Sequence, residues 1–207
     1  MCNCYQVKPP AFRKSALAQR WLESLKEDYQ SVADGKGLLV RPTVTAPVYT
    51  LEKECSGMRW GFERPWASSI NNARIEKRGT MWKKAWSHGR CLIPMSGWFE
   101  FSGTKGSMKC HLLEAEDEGP LLAAGLWETH AQLGDCFTMI MAESDPETLL
   151  GRIHHRMPVL LSEADGERWM AEEQRDLAGS PGITVKETIV PSPLKKQKDT
   201  MVQVDLL

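Results

Sequence analysis

The feature that most narrows the fold is a succession of short strand-like runs with little helix between them. From residue 38 onward these are Leu38–Arg41, Pro47–Leu51, Met58–Trp60, Arg90–Phe101, Met108–Leu113, Leu121–Trp127, Cys136–Met141, Val159–Leu161, Ile183–Glu187 and Met201–Val204. Each is bounded by Pro, Gly or a charged cluster, and Gly103–Gly106 reads as a hairpin turn. Helical periodicity is confined to a few places. Leu17, Trp21, Leu25 and Tyr29 or Val32 recur at helical spacing within 11–33, and Thr80 caps a short helix to Ser87 with Trp82, Ala85 and Trp86 inward. Asp145-Pro146-Glu147 starts a helix that runs to about Arg152, and Ser162 caps one that ends near Gln174. Strands are not alternated with long helices, so a doubly wound parallel sheet is excluded. The expected class is α+β: one domain over 1–207, with a mostly antiparallel sheet core and a few short flanking helices.

Composition bounds the function. A 207-residue chain that is 42% hydrophobic and 26% charged can bury a core, which removes disordered and fibrous classes. No apolar run reaches the roughly eighteen residues of a membrane span, and no basic region followed by an apolar stretch opens the chain. A cytoplasmic location with no membrane partner is expected. The six cysteines include no CxxC pair, so reduced, buried thiols are expected, with no metal site. Residues 72–110 carry eight basic and two acidic side chains, against four and fifteen in 111–180. A positive face able to attract a polyanion is therefore available. Eight tryptophans add aromatic faces on which bases could stack.

The chemistry centres on Cys2. Removal of Met1 would leave a thiol and a free α-amine on adjacent carbons, with ordinary pKa values of roughly 8.5 and 8. Such a pair condenses with an aldehyde: the amine forms an imine and the sulfur closes a thiazolidine ring. The same pair could serve amide hydrolysis as nucleophile and base. Glu100 sits between Phe99 and Phe101, so strand alternation sends it to the face opposite both rings. There desolvation would raise its pKa into general-acid range. Of the adjacent His154 and His155, only one can face a site and carry protons.

Six motifs in order carry a resemblance: Cys2, Trp60-Gly61-Phe62, Asn72-Ala73-Arg74-x-Glu76, Gly97-Trp98-Phe99-Glu100, Ala124-Gly125-Leu126-Trp127 and Ile153-His154-x-Arg156-Met157-Pro158. Together they resemble the SOS-response-associated peptidase (SRAP) family, the abasic-site processing proteins, from residue 2 to about 195. The resemblance implies a barrel-like antiparallel sheet, no cofactor, and capture of abasic sites in single-stranded DNA as a thiazolidine crosslink. It implies Cys2 as nucleophile, Asn72 orienting the amine or sugar, Glu100 as acid and base, and His154 assisting sugar-ring opening. Arg74 would hold a phosphate, Trp66 and Trp82 would stack on bases, and the protein is expected to act as a monomer. Two alternatives use the same residues: a peptidase acting on proteins or on its own terminus, and a non-catalytic DNA- or partner-binding module. The chain departs from the family start, Cys-Gly-Arg, by reading Cys2-Asn3-Cys4, and a usual Thr is replaced around Met141. The missing Arg removes a phosphate contact. Cys4 is expected to place a second thiol near the site, open to oxidation with Cys2 or to metal binding.

Overall fold

The computed structural model describes residues 2–15, 37–171 and 177–194. The strands are β1 (Tyr5–Val7), β2 (Leu38–Val40), β3 (Thr45–Thr50), β4 (Glu54–Trp60), β5 (Phe62–Arg64), β6 (Ala67–Ile70), β7 (Asn72–Arg74) and β8 (Arg90–Met95). They continue as β9 (Gly97–Ser102), β10 (Lys109–Ala115), β11 (Leu121–His130), β12 (Gly134–Glu143), β13 (Arg156–Pro158), β14 (Leu160–Leu161) and β15 (Val185–Val190). The helices are short: α1 (Pro9–Phe12), α2 (Lys83–His88), α3 (Leu149–Ile153) and α4 (Glu163–Met170).

Five strands close on themselves in the order β12-β4-β3-β8-β11, with β11 pairing back to β12. Closure leaves no free edge in that ring. All its pairings are antiparallel except β12 with β4. A second sheet, β15-β10-β9-β1-β2, is antiparallel throughout. The class is the α+β, barrel-like single domain expected.

Aromatic packing joins the two sheets. Trp60 of β4 meets the Tyr5 ring of β1 edge-on at 5.1 Å and stacks on Phe137 of β12 at 6.2 Å. Each such pair contributes about 0.5–1.5 kcal/mol beyond the area it buries. On the second sheet, Tyr5, Val7, Trp98 and Leu113 belong to the main core, whereas Cys4, Phe99, Cys110 and Leu112 form a separate cluster. The strand register accounts for this division: Trp98 opposes Leu113, and Phe99 opposes Leu112.

Several boundaries differ from the sequence reading. The run Arg90–Phe101 is two strands in different sheets, β8 and β9, parted at Ser96, whose hydroxyl accepts from Lys8 N and whose own N–H donates to Gln6 O. The helix expected from Thr80 begins at Lys83, because Thr80 Oγ1 donates to Lys77 O and caps nothing. Trp82, Ala85 and Trp86 are buried as expected. The helix after Asp145 starts at Leu149: Asp145 Oδ1 accepts from Glu147 N, and Thr148 is the side chain that caps Gly151 N. Ser162 caps α4 as expected. The periodicity of 16–33, the end of the helix toward Gln174 and the strand at Met201–Val204 lie outside the described residues.

Gly61 shows how tightly the barrel rim is built. Its φ is +116°, and a Cβ there would lie 2.0 Å from Ser69 Oγ and 3.2 Å from Ser69 Cβ. Gly61→Ala is expected to cost about 2 kcal/mol or more, read as a lower urea midpoint. Adding Ser69→Ala should recover only part of that loss, because the backbone strain stays. Full recovery in the double variant would show that the side-chain clash alone mattered.

Candidate active site

Cys2 is fully buried, at 0% exposure, on the end of the chain that leads into β1. Two adjacent asparagines hold its backbone. Asn72 Nδ2 donates to Cys2 O at 2.8 Å, and Asn71 Nδ2 donates to the same oxygen at 3.3 Å and to Asn3 Oδ1 at 3.1 Å. Asn71 is itself pinned, since Trp60 Nε1 donates to its carbonyl at 2.8 Å. Asn72 lies on β7, opposite Met139 of β12. Its Oδ1 is buried with no hydrogen-bond partner, leaving an acceptor beside Cys2 for an incoming donor.

Glu100 approaches from β9 and is 3% exposed. Alternation works as the sequence suggests: Phe99 and Phe101 pack in the outer cluster, and Glu100 faces the other way. Burial pushes its carboxyl up to about 7, against the pull of the chain's terminal amine. Burial, then the negative charge of Glu100, raises the Cys2 thiol well above its usual value. Cys2 is thus a protonated thiol beside a carboxyl poised between its two states. Such a pair can pass one proton back and forth near neutral pH.

His154 stands at the end of α3, which lies across β9. Arg156 N donates to its Nδ1 at 3.0 Å, and its ring stacks on exposed His155 at 4.5 Å. Burial first, then neighbouring positive charge, holds His154 below the ordinary histidine value, so it is a neutral ring at pH 7.

A family model described as SOS response associated peptidase (SRAP) matches residues 1–201. The chain belongs to the SRAP family. Among curated relatives, the abasic site processing protein YedK of Escherichia coli is 31% identical over 121 residues, covering 55% of this chain and 54% of that protein. The abasic site processing protein YMR114C of Saccharomyces cerevisiae is 29% identical over 144 residues, covering 64% of this chain and 38% of that protein. The chain therefore matches about half or less of the length of these relatives. A solved structure from Bordetella bronchiseptica shares the fold at TM-score 0.69 and 23% identity, covering 92% of this chain and 100% of that one. One from Bacteroides thetaiotaomicron does so at TM-score 0.70 and 18% identity, covering 92% of each.

Within this SRAP chain the motifs turn out to be physically connected. Arg156, buried at 7% exposure, donates from Nη1 to both oxygens of Glu76, at 3.1 and 3.2 Å. The His motif is thereby tied to the Asn72 motif, a link that motif order alone did not reveal. Asn71 is a second residue the sequence reading left without a role; the signal was its place beside Asn72. Arg74 is exposed and shares the strand face of Asn72, while Ala73 turns into the core. Trp66, at the tip between β5 and β6, is 68% exposed. Trp82 is the correction. It is 3% exposed with its ring edge-on to Phe62 at 6.0 Å, so it presents no face to a base.

Cys4 also departs from expectation. Its side chain packs with Phe99, Cys110 and Leu112 in the outer cluster, and burial pushes its thiol up to about 11 despite Arg41. Its backbone oxygen accepts from Cys2 Sγ at 3.6 Å, so Cys4 meets the site through its main chain, and the described residues contain no group of three or more metal-ligating side chains.

The raised Glu100 carboxyl sets a pH dependence of stability. Below about pH 4.5 the carboxyl is protonated whether folded or unfolded. As pH rises toward 7 the unfolded chain ionises while the folded one keeps its proton, so the folded state loses ground. Glu100→Gln escapes this loss. The variant's stability relative to wild type should climb between pH 4.5 and 7 by no more than about 3 kcal/mol and then level off. Urea midpoints of both proteins across that range test it, and a pH-independent gap would place the carboxyl at its ordinary value.

Proposed function

We propose that this chain senses abasic sites in single-stranded DNA and traps them covalently through Cys2 once Met1 is removed. The observation that carries the reading is the pairing of a buried Cys2 with a carboxyl raised to about 7, on a backbone held by Asn71 and Asn72. The names of the curated relatives, abasic site processing proteins, agree with it.

The reaction follows from those groups. An abasic sugar exposes an aldehyde when its ring opens, a step served by neutral His154 as proton acceptor. The Cys2 amine adds to the carbonyl carbon, held for attack by the open acceptor Asn72 Oδ1. Protonated Glu100 gives its proton to the departing hydroxyl, water leaves, and a protonated imine remains. The Cys2 sulfur then attacks the imine carbon and passes its proton to the Glu100 carboxylate, which restores the acid and closes the thiazolidine. Reversal runs the same steps backward. A raised thiol is no obstacle here, because the base that must take its proton is adjacent. Exposed Arg74 would meet a backbone phosphate, and exposed Trp66 would stack on a flanking base, a contact of about 1–3 kcal/mol.

Single-stranded DNA with one abasic site should give a heat-stable crosslink mapped to Cys2, absent from undamaged DNA and from Cys2→Ala. Protein that retains Met1 should be inert, since its Cys2 nitrogen is an amide; crosslinking by that form would end the ring mechanism. Glu100→Gln should bind abasic DNA normally, crosslink more slowly, and lose most crosslink reversal, by about 10²–10⁴-fold. Normal forward and reverse rates in that variant would remove Glu100 from the chemistry. Arg74→Ala should lower the salt dependence of binding by about one phosphate contact, a slope change of roughly 0.7. An unchanged slope would make Arg74 structural.

A further inference from the structure

On the same sheet face as Glu100, nearer its rim, three adjacent strands contribute a hydrogen-bonded line of side chains. Ser102 Oγ, at the end of β9, lies 2.6 Å from His111 Nε2 on β10. His111 Nδ1 lies 2.6 Å from Glu187 Oε1 on β15. We propose that Ser102, His111 and Glu187 form a second nucleophilic site, which cleaves short-chain carboxylic esters. It shares no residue with the abasic-site chemistry proposed above.

The arrangement has the parts such a site requires: a hydroxyl within reach of a base, and the base oriented by a third group. With Nδ1 donating to Glu187, the Nε2 lone pair is aimed at the Ser102 hydroxyl. His111 is 5% exposed and engaged at both nitrogens, so it has one orientation. Ser102 is half-buried and reachable, and the chain leaves it through Gly103 at φ +93°. The register supplies the surroundings. Exposed Lys109 stands directly opposite Ser102, where its ammonium can neutralise a developing oxyanion. Exposed Ile189 stands directly opposite His111, an apolar side chain for a short acyl group at an open rim.

The chemistry closes with water as the only co-reactant. Ser102 Oγ bonds to the ester carbonyl carbon while its proton moves to His111 Nε2. The bond from that carbon to the alkoxy oxygen then breaks, and the leaving alcohol takes the proton from His111. Water attacks the acylated Ser102, giving a proton to His111. That proton returns to Ser102 Oγ as the carboxylic acid departs. Glu187 holds the transient imidazolium throughout.

A Ser–His–Glu ladder that only braced the sheet would leave Ser102 no more reactive than any other serine, which makes the test direct. The folded full chain is treated with a fluorophosphonate probe, and the adduct is located by peptide mass. Labelling is expected at Ser102, slowed about 100-fold or more in His111→Gln and undiminished in Cys2→Ala. Hydrolysis of p-nitrophenyl acetate by the Cys2→Ala protein should fall to background when Ser102→Ala is added. Glu187→Gln, on a half-exposed edge-strand side chain, guards against a His111 variant that fails to fold: labelling should slow at least tenfold with its melting temperature unchanged. No adduct at Ser102 in the folded wild type, or equal labelling rates in wild type and Glu187→Gln, would overturn the proposal. Ser102→Ala should still crosslink abasic DNA, so failure of either activity can be told from failure of the other.

Discussion

Trp60 is the contact on which the rest depends. Its ring lies between Tyr5 of the second sheet and Phe137 of the barrel, and its indole N–H fixes the Asn71 carbonyl. One side chain thereby couples the packing of two sheets to the position of the Cys2 backbone. The barrel needs the aromatic contacts to bury its rim, and the site needs the hydrogen bond. Substituting Trp60 would disturb both at once.

The same economy appears at the other motifs. Arg156 is buried and pays off its desolvation through Glu76, on the segment that follows β7. The turn bearing His154 and the strand bearing Asn72 are therefore held at a common distance from β12, to which β13 and β7 both pair. Glu100 arrives from the opposite sheet. The candidate site is a seam: one wall belongs to the barrel, the other to the five-stranded sheet, and Cys2 lies between them.

How much of this could be read beforehand depended on whether the signal was local. Glu100 was legible because two flanking phenylalanines set its face by alternation alone. The hairpin at Gly103–Gly106 was legible from its glycines. The break at Ser96 was not, because the strand propensity of Arg90–Phe101 is continuous, and what parts it is a hydrogen bond from Ser96 N to Gln6 O of β1, ninety residues away in sequence. Helix starts slipped for a related reason: Thr80 and Asp145 satisfy nearby backbone groups rather than a helix end. Trp82 and Trp66 are the same residue type in similarly charged surroundings. Only the presence of Phe62 against one of them decides which is core. The link between Arg156 and Glu76 joins positions eighty apart, which one sequence cannot pair.

The burial of Cys2 also bears on how such a protein survives in a cell. Oxidants and alkylating agents react with thiolates that they can reach. A sulfur with no accessible surface, kept protonated by its surroundings and by the charge of Glu100, offers them neither condition. The seam thus shields this thiol from adventitious electrophiles. Under the proposed chemistry the reagent to which Cys2 answers first engages the adjacent nitrogen, so that selectivity against small reactive molecules would arise from the order of bond formation rather than from the strength of binding.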